Sequence, residues 1–296
     1  MSALVFACSG NDVLASALSQ VDGISEGKLT LRQFPDSETY VRIESNVAQR
    51  DAIIACTLDR PDGKVMPLYI LAQTLRAEGA KRVWLVAPYL AYMRQDSKFH
   101  AGEAESAKHF ARLLSSFLDG LITVDPHLHR INDLMAVYSI RAETVSATTA
   151  IASWITEHVP SPFLIGPDSE SEQWVSRLSH LANCPYAVLE KTRRGDTDVV
   201  ISLPGLDAHR DRTPVLVDDI ISTGRTMIAA MDGLRKAGFR KPVCVGVHAI
   251  FAGDAYDQLR AAAGVDRIVT CNTIPHASNA IDVHLLAARH VAELLS

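Results

Sequence analysis

Short apolar, β-branched runs alternate with amphipathic stretches along the whole chain, and this rhythm restricts the fold more than any other feature. The first half carries Leu4-Val-Phe, Ala52-Ile-Ile-Ala, Val83-Trp-Leu-Val-Ala and Leu121-Ile-Thr-Val. The second carries Phe163-Leu-Ile-Gly, Tyr186-Ala-Val-Leu, Val199-Val-Ile-Ser, Pro214-Val-Leu-Val and Val243-Cys-Val-Gly-Val-His-Ala, and ends with Arg267-Ile-Val-Thr. The pattern reads as strand-helix-strand units around a mostly parallel sheet, and its repetition indicates two similar α/β halves. Helices are expected from Met66 to Glu78, stopping at Gly79, and from Thr226 to Lys236, stopping at Gly238. No low-complexity linker separates the halves. The polar, small-residue stretch Arg141-Ala-Glu-Thr-Val-Ser-Ala precedes a helix carrying Ile151, Trp154 and Ile155. It places the expected domains at 1–142 and 143–296, with the last helix, 283–296, a candidate to pack on the N-terminal domain.

With 48% hydrophobic and 21% charged residues over 296 positions, there is apolar material for one large core or two ordinary ones. A net charge of -5 excludes the broad basic field that sequence-independent nucleic-acid binding needs. Anionic ligands must therefore be gripped locally. The start, Met1 to Cys8, superficially resembles a lipoprotein processing site, but it lacks a basic region and its apolar run is short, so a buried first strand is expected. No segment approaches roughly eighteen uninterrupted apolar residues, so no membrane span is expected. The five cysteines, Cys8, Cys56, Cys184, Cys244 and Cys271, show neither Cys-x-x-Cys nor metal spacing with His. They read as reduced core thiols of a cytoplasmic protein.

The most specific segment is Val215-Leu-Val-Asp-Asp-Ile-Ile-Ser-Thr-Gly-Arg-Thr226. An apolar strand delivers Asp218 and Asp219 to the carboxyl edge of the sheet, where open α/β folds bind ligands. Ser222, Thr223, Gly224, Arg225 and Thr226 then offer backbone N–H groups and hydroxyls at a helix N-terminus, which suits a phosphate monoester. An Asp pair directly after a buried strand is costly without a ligand or metal partner.

That segment resembles the PRPP loop shared by type I phosphoribosyltransferases and phosphoribosyl diphosphate (PRPP) synthetases. The resemblance implies two tandem type I phosphoribosyltransferase-like domains, acids that hold ribose hydroxyls, and a loop that holds the 5-phosphate of ribose 5-phosphate. Four further segments are similar to the synthetases. In Phe34-Pro-Asp-Ser-Glu-Thr-Tyr-Val-Arg42, the resemblance makes Phe34, Asp36, Ser37 and Glu38 an ATP-binding group that reaches the adenine from a neighbouring subunit. Ser37 stands where the family has Gly, a small-for-small change that asks for a less permissive backbone. The stretch Tyr92-Met-Arg-Gln-Asp96, followed by Gly102-Glu and Ser106-Ala-Lys108, implies ATP contacts from Arg94 and Gln95, the guanidinium offering a planar fork to phosphate oxygens. Val124-Asp-Pro-His-Leu-His129 implies a Mg·ATP role for His127; two His at i, i+2 on a strand would point oppositely, so His129 is not carried over. Asp168, in Gly166-Pro-Asp-Ser-Glu, implies a second metal and ribose contact, although Ser169 and Glu170 replace the family's Gly residues. Leu189-Glu-Lys-Thr-Arg-Arg-Gly-Asp-Thr-Asp198 is similar to the catalytic loop, with Lys191 and Arg193 closing over the reacting phosphates; read without the resemblance, it is a charged hairpin.

The implied enzyme is a ribose-phosphate diphosphokinase. It would move the β,γ-diphosphate of Mg·ATP to the 1-hydroxyl of ribose 5-phosphate, with Mg²⁺ as cofactor and a homo-oligomer sharing its ATP site. The wording of the motifs is nearer the shorter archaeal-like synthetases than the phosphate-activated, ADP-inhibited class. No general base is evident, and neither Asp218 nor Asp219 is assigned proton abstraction. Two alternatives stay open: a type I phosphoribosyltransferase that consumes PRPP, and a non-catalytic regulatory subunit associated with synthetases. In the PRPP loop, Arg225 stands where synthetases commonly have Gly, and it points either outward or into the phosphate cup.

Overall fold

The computed structural model describes residues 2–295 apart from 99, 129, 132, 169–170, 195–197, 203–205 and 263; between 190 and 207 it describes the backbone of 190–194, 198–202 and 206–207. The chain divides into two compact units, residues 1–146 with 284–296, and residues 147–283.

The first unit contains strands β1 (Ala3–Ala7), β2 (Ile24–Glu26), β3 (Leu29–Gln33), β4 (Thr39–Ile43), β5 (Asp51–Ala55), β6 (Arg82–Ala87), β7 (Gly120–Val124) and β8 (Arg141–Val145). Six of them form a sheet in the order β2-β1-β5-β6-β7-β8, every pair parallel. Strands β3 and β4 pair antiparallel as a separate ribbon. All five residues of both β5 and β7 are buried, as expected of parallel strands covered on both faces. Helices α1 (Asp12–Ser19), α2 (Asp62–Ala77) and α3 (Ser106–Ser115) supply that cover. α2 begins four residues before Met66 and turns Leu68, Leu71, Ala72 and Leu75 inward at helical spacing. The C-terminal helix, His284–Leu295, packs on α1 within this unit.

Close packing in this sheet makes one glycine indispensable. Gly120 lies in register with Trp84, and a Cβ on it would sit 2.1 Å from the buried indole. Gly120→Ala therefore overpacks the core and is expected to cost about 1–3 kcal/mol, read as a lower urea midpoint with an unchanged slope.

The second unit contains β9 (Pro162–Gly166), β10 (Tyr186–Val188), β11 (Glu190–Arg194), β12 (Asp198–Ser202), β13 (Thr213–Ile221), β14 (Val243–Ala249), β15 (Arg267–Cys271) and β16 (Asn279–Ile281). Its sheet runs β10-β9-β13-β14-β15-β16, again parallel throughout. Helices α4 (Thr148–His158), α5 (Glu172–Ala182), α6 (Arg225–Lys236) and α7 (Ala255–Ala261) flank it. Phe163, Leu216, Met227, Met231, Leu234 and Leu259 share one buried cluster that seats α6 on the sheet.

The two units repeat one topology. In each, the second strand flanks the first on the outside, an antiparallel ribbon follows, and the next four strands add in sequence on the other side. One expectation needs correction: Val199-Val-Ile-Ser belongs to no parallel sheet but to the ribbon, where β12 pairs with the charged strand β11. An apolar run signals a strand without specifying its partner.

Candidate active site

In the second unit, β13 pairs with β9 only from Thr213 to Leu216, whereas its ladder with β14 continues to Ile221. Beyond Leu216 one edge of β13 therefore projects past the end of β9. The Asp pair lies inside this projecting part of the strand rather than after it, both acids half-buried. The chain then turns through Ser222 and Thr223 to Gly224, whose φ of +69° is the left-handed conformation that glycine adopts without steric cost. Gly224 is the N-cap of α6, so the free N–H groups of the first turn and the hydroxyls of Ser222, Thr223 and Thr226 belong to one short loop. Arg225, the first helical residue, is exposed.

Asp168 follows β9, the strand adjoining β13, and joins the same carboxylate neighbourhood. Its Oδ1 accepts from the Ser171 N–H at 3.3 Å and its carbonyl from the Ser171 hydroxyl at 2.6 Å, which fixes the turn into α5. Burial, then the charge and hydrogen bond of Asp219 and the charge of Asp168, push the Asp218 carboxyl up to about 8. The forces that raise Asp218 thus come from desolvation and other carboxylates, and among the described residues no cation offsets them. Among the described residues, no three His, Cys, Asp or Glu side chains converge to hold a metal ion by themselves.

The loop is braced from behind. Phe251 N–H donates to the carbonyl of Ile221 at 2.9 Å and Ala252 N–H to that of Ser222 at 3.1 Å. Phe251 in turn packs against Tyr256 and His276, with ring centroids 5.0 and 4.6 Å away. The sequence carries no local sign of this bracing, because the partners are brought together only by the β13/β14 pairing.

In the first unit, Phe34, Asp36, Ser37 and Glu38 form the exposed tip of the β3/β4 ribbon. Phe34 N–H donates to the Glu38 carbonyl at 2.8 Å, Ser37 N–H to the Phe34 carbonyl at 2.9 Å, and Glu38 N–H to Asp36 Oδ1 at 3.2 Å. Ser37 takes φ +71°, so it keeps the left-handed backbone that a glycine would adopt, at a steric cost. The guanidinium of Arg32 lies 4.7 Å from the centroid of the Phe34 ring and 4.3 Å from that of Tyr40, making a cation-π platform on the ribbon.

Arg94 is exposed and Gln95 half-buried in the loop after β6, and the Gln95 carbonyl accepts from Ala107 N–H in the first turn of α3. His127 is half-buried and lies beyond the end of β7 in a loop that leaves the strand through Asp125 at φ +32°, so alternation along a strand does not govern it. These two loops are tied together by a residue the sequence reading gave no role. Buried Asp96 accepts from the Arg130 N–H at 2.9 Å and from its guanidinium at 3.0 Å. Burial alone would raise the Asp96 carboxyl, but the bonds from Arg130 outweigh it and hold the group below its usual value. The signal was present in Arg94-Gln-Asp96, whose third member is a carboxylate with no surface role. No hydrogen bond or ion pair among the described residues joins the ribbon tip to these loops.

Lys191 and Arg193 stand on β11, opposite Ile201 and Val199 of β12; their side chains, like His129, Ser169 and Glu170, lie outside what is described.

Comparison with known proteins supplies independent information. Residues 3–117 match the N-terminal domain of ribose phosphate pyrophosphokinase, and residues 139–288 match the phosphoribosyl transferase domain. The chain is 32% identical over 270 residues to the ribose-phosphate pyrophosphokinase of Sulfurisphaera tokodaii, covering 90% of this chain and 91% of that one. It is 33% identical over 260 residues to the same enzyme of Sulfolobus acidocaldarius, covering 86% and 88%. In fold it is similar to phosphoribosylpyrophosphate synthetase from Mycobacterium smegmatis, with a TM-score of 0.87, 23% identity and coverage of 100% and 99% of the two chains.

Proposed function

The chain belongs to the ribose-phosphate pyrophosphokinase family, and we propose that it transfers the β,γ-diphosphate of ATP to the 1-hydroxyl of ribose 5-phosphate, giving PRPP and AMP. The observation that carries this reading is the β13–α6 junction. There a projecting Asp pair meets a glycine-capped helix N-terminus, a combination that takes a polyhydroxyl and a phosphate at once. Incubating the purified chain with Mg·ATP and ribose 5-phosphate tests it, because AMP must appear in step with PRPP. Pyrophosphate release from PRPP plus a base, without ATP, would instead place the chain among the phosphoribosyltransferases.

In this reading the second unit binds ribose 5-phosphate, with Asp218 and Asp219 on the ribose hydroxyls and the Ser222–Thr226 loop on the 5-phosphate. The first unit supplies the ATP segments, Phe34 to Glu38 together with Arg94 and Gln95. The anomeric oxygen forms a bond to the β-phosphorus as the bond from that phosphorus to the α-phosphate oxygen breaks, and the step depends on alignment and charge neutralisation. Lys191, Arg193 and Arg94 offset the charge that gathers on the departing α-phosphate oxygen.

The carboxylates suit Mg²⁺, a hard cation held by one or two carboxylates plus substrate phosphates. Asp218, half-buried among other carboxylates, is a group such a cation would relieve, and Asp168 would share it. Mg²⁺ would neutralise phosphate charge when bound, with His127 near the nucleotide. A cytoplasmic setting fits the family, and no helix among the described residues is long and apolar enough to cross a membrane.

The exposure of Arg225 favours the outward orientation. Arg225→Gly is expected to change KM for ribose 5-phosphate less than about threefold, or roughly 0.7 kcal/mol, while Thr226→Ala raises it much more. A tenfold rise for Arg225→Gly would make this Arg a phosphate ligand.

The exposed ribbon tip fits a segment that serves a neighbouring subunit of a homo-oligomer. Mixing inactive Glu38→Ala and Lys191→Ala chains should then restore activity through hybrid sites. Absence of recovery after demonstrated subunit exchange would argue for a site built within one chain.

A further inference from the structure

We propose that Cys8 and Cys56 form a redox-active dithiol, oxidised to a disulfide by thiol–disulfide exchange with a low-molecular-weight disulfide that enters the cavity beside them. The two residues stand at one level of the first unit's sheet. β1 and β5 are neighbouring parallel strands whose register ends at Ala7↔Ala55, and Cys8 and Cys56 are the next residues of each. Cys8 N–H donates to the Ala55 carbonyl at 2.9 Å, so the ladder continues to this pair. Register partners on parallel strands turn their side chains to the same face. Adjacent strands lie about 4.8 Å apart, inside the range of roughly 4.4–6.8 Å that the Cα atoms of a disulfide span.

Both thiols line a cavity of about 330 Å³, and its rim includes the exposed residues Arg32, Gln33 and Gly63. A small disulfide has room there, although the thiols themselves are buried. Their environment divides the roles between them. The Cys8 thiol is raised well above its usual value, first by its hydrogen bond to Cys56 and then by burial. Cys56 is lowered, first by accepting that bond and, against burial, by the Lys64 ammonium. Lys64 is held in place by the Thr57 carbonyl at 2.9 Å and by Asp59. Lys64 lines the same cavity and bonds the carbonyl of Thr57, the residue next to Cys56, and this placement of an ammonium assigns the attacking role to Cys56 and the resolving one to Cys8.

The exchange balances. The Cys56 thiolate bonds to one sulfur of the small disulfide, whose S–S bond breaks and expels a thiolate. Cys8 then gives up its proton and attacks the Cys56 sulfur of the mixed disulfide, releasing the second small thiol. Two protein thiols lose two electrons, the small disulfide gains them, and the two protons end on the released thiols. None of the groups placed in the diphosphate transfer takes part.

The test uses the full reduced chain, incubated with glutathione disulfide and then denatured and alkylated. Of its five cysteines, alkylatable thiols should fall from five to three through the pair, with the Cys8 and Cys56 peptides linked and dithiothreitol releasing them. Glutathione on the half-buried Cys184 is scored separately by peptide mapping. Cys8→Ser should trap glutathione on Cys56, and Cys56→Ser should leave Cys8 largely unmodified. Cys8 and Cys56 that both stay alkylatable while Cys184 takes up glutathione would overturn the proposal. So would a Cys8→Ser chain whose Cys56 remains unmodified.

Discussion

Lys191→Ala is expected to lower kcat by about 10²- to 10³-fold, or roughly 3–4 kcal/mol of barrier by analogy with a single oxyanion donor, while leaving ATP affinity within a few-fold. The cation is proposed to meet charge that develops only as the bond to the α-phosphate oxygen breaks, so its loss falls on the transition state and spares ground-state binding. Its backbone position fits that role. Lys191 stands on a two-stranded ribbon outside the six-stranded sheet, so removing its side chain leaves the sheet ladder intact. Steady-state kinetics together with ATP titration calorimetry separate the two effects. A variant with wild-type kcat would remove Lys191 from the chemistry, and one with weakened ATP binding and unchanged kcat would make it a ground-state ligand.

Asp218→Asn should stabilise the empty protein at high pH while abolishing most turnover. Burial and the neighbouring carboxylates Asp219 and Asp168 push this carboxyl from 3.8 up to about 8, so between those values the folded chain retains a proton that the unfolded chain has released. Stability contributed by the protonated form is complete below the unfolded value and is lost as pH rises toward 8. Asn removes the titration. The variant should match the parent near pH 4 and exceed it at pH 8 by about 5 kcal/mol, read as a Tm roughly 10 °C or more higher. Saturating Mg²⁺ and ribose 5-phosphate should narrow the gap by stabilising only the parent. An equal Tm difference at both pH values would show that Asp218 is not a strained carboxylate.

What the sequence determined by itself was the set of buried strands and the local form of the phosphate loop. β5, β7 and β14 are buried at every position, and strands covered on both faces read as nearly continuous apolar runs, interrupted here by Asp51, Thr123 and His248. The Ser222–Thr226 loop could be placed beforehand at a helix N-terminus from its hydroxyls and its glycine. All the residues proposed here for ATP, ribose 5-phosphate and metal were also chosen from local motifs. The tertiary structure decided which of these elements meet. It sent Val199–Ser202 into a ribbon with β11, and it built a second ribbon from Leu29–Gln33 and Thr39–Ile43, whose half-exposed pattern lacks a strong apolar run. Asp96 reaches Arg130 across 34 positions, and Phe251 braces Ile221 across a strand pairing. The same closure sets Asp168 beside the Asp218–Asp219 pair and brings Cys8 level with Cys56. A strand or a cap is specified within one or two turns of chain, whereas a partner, a burial depth or a shifted pKa depends on residues tens of positions away. Those terms enter only once the loops between them have closed.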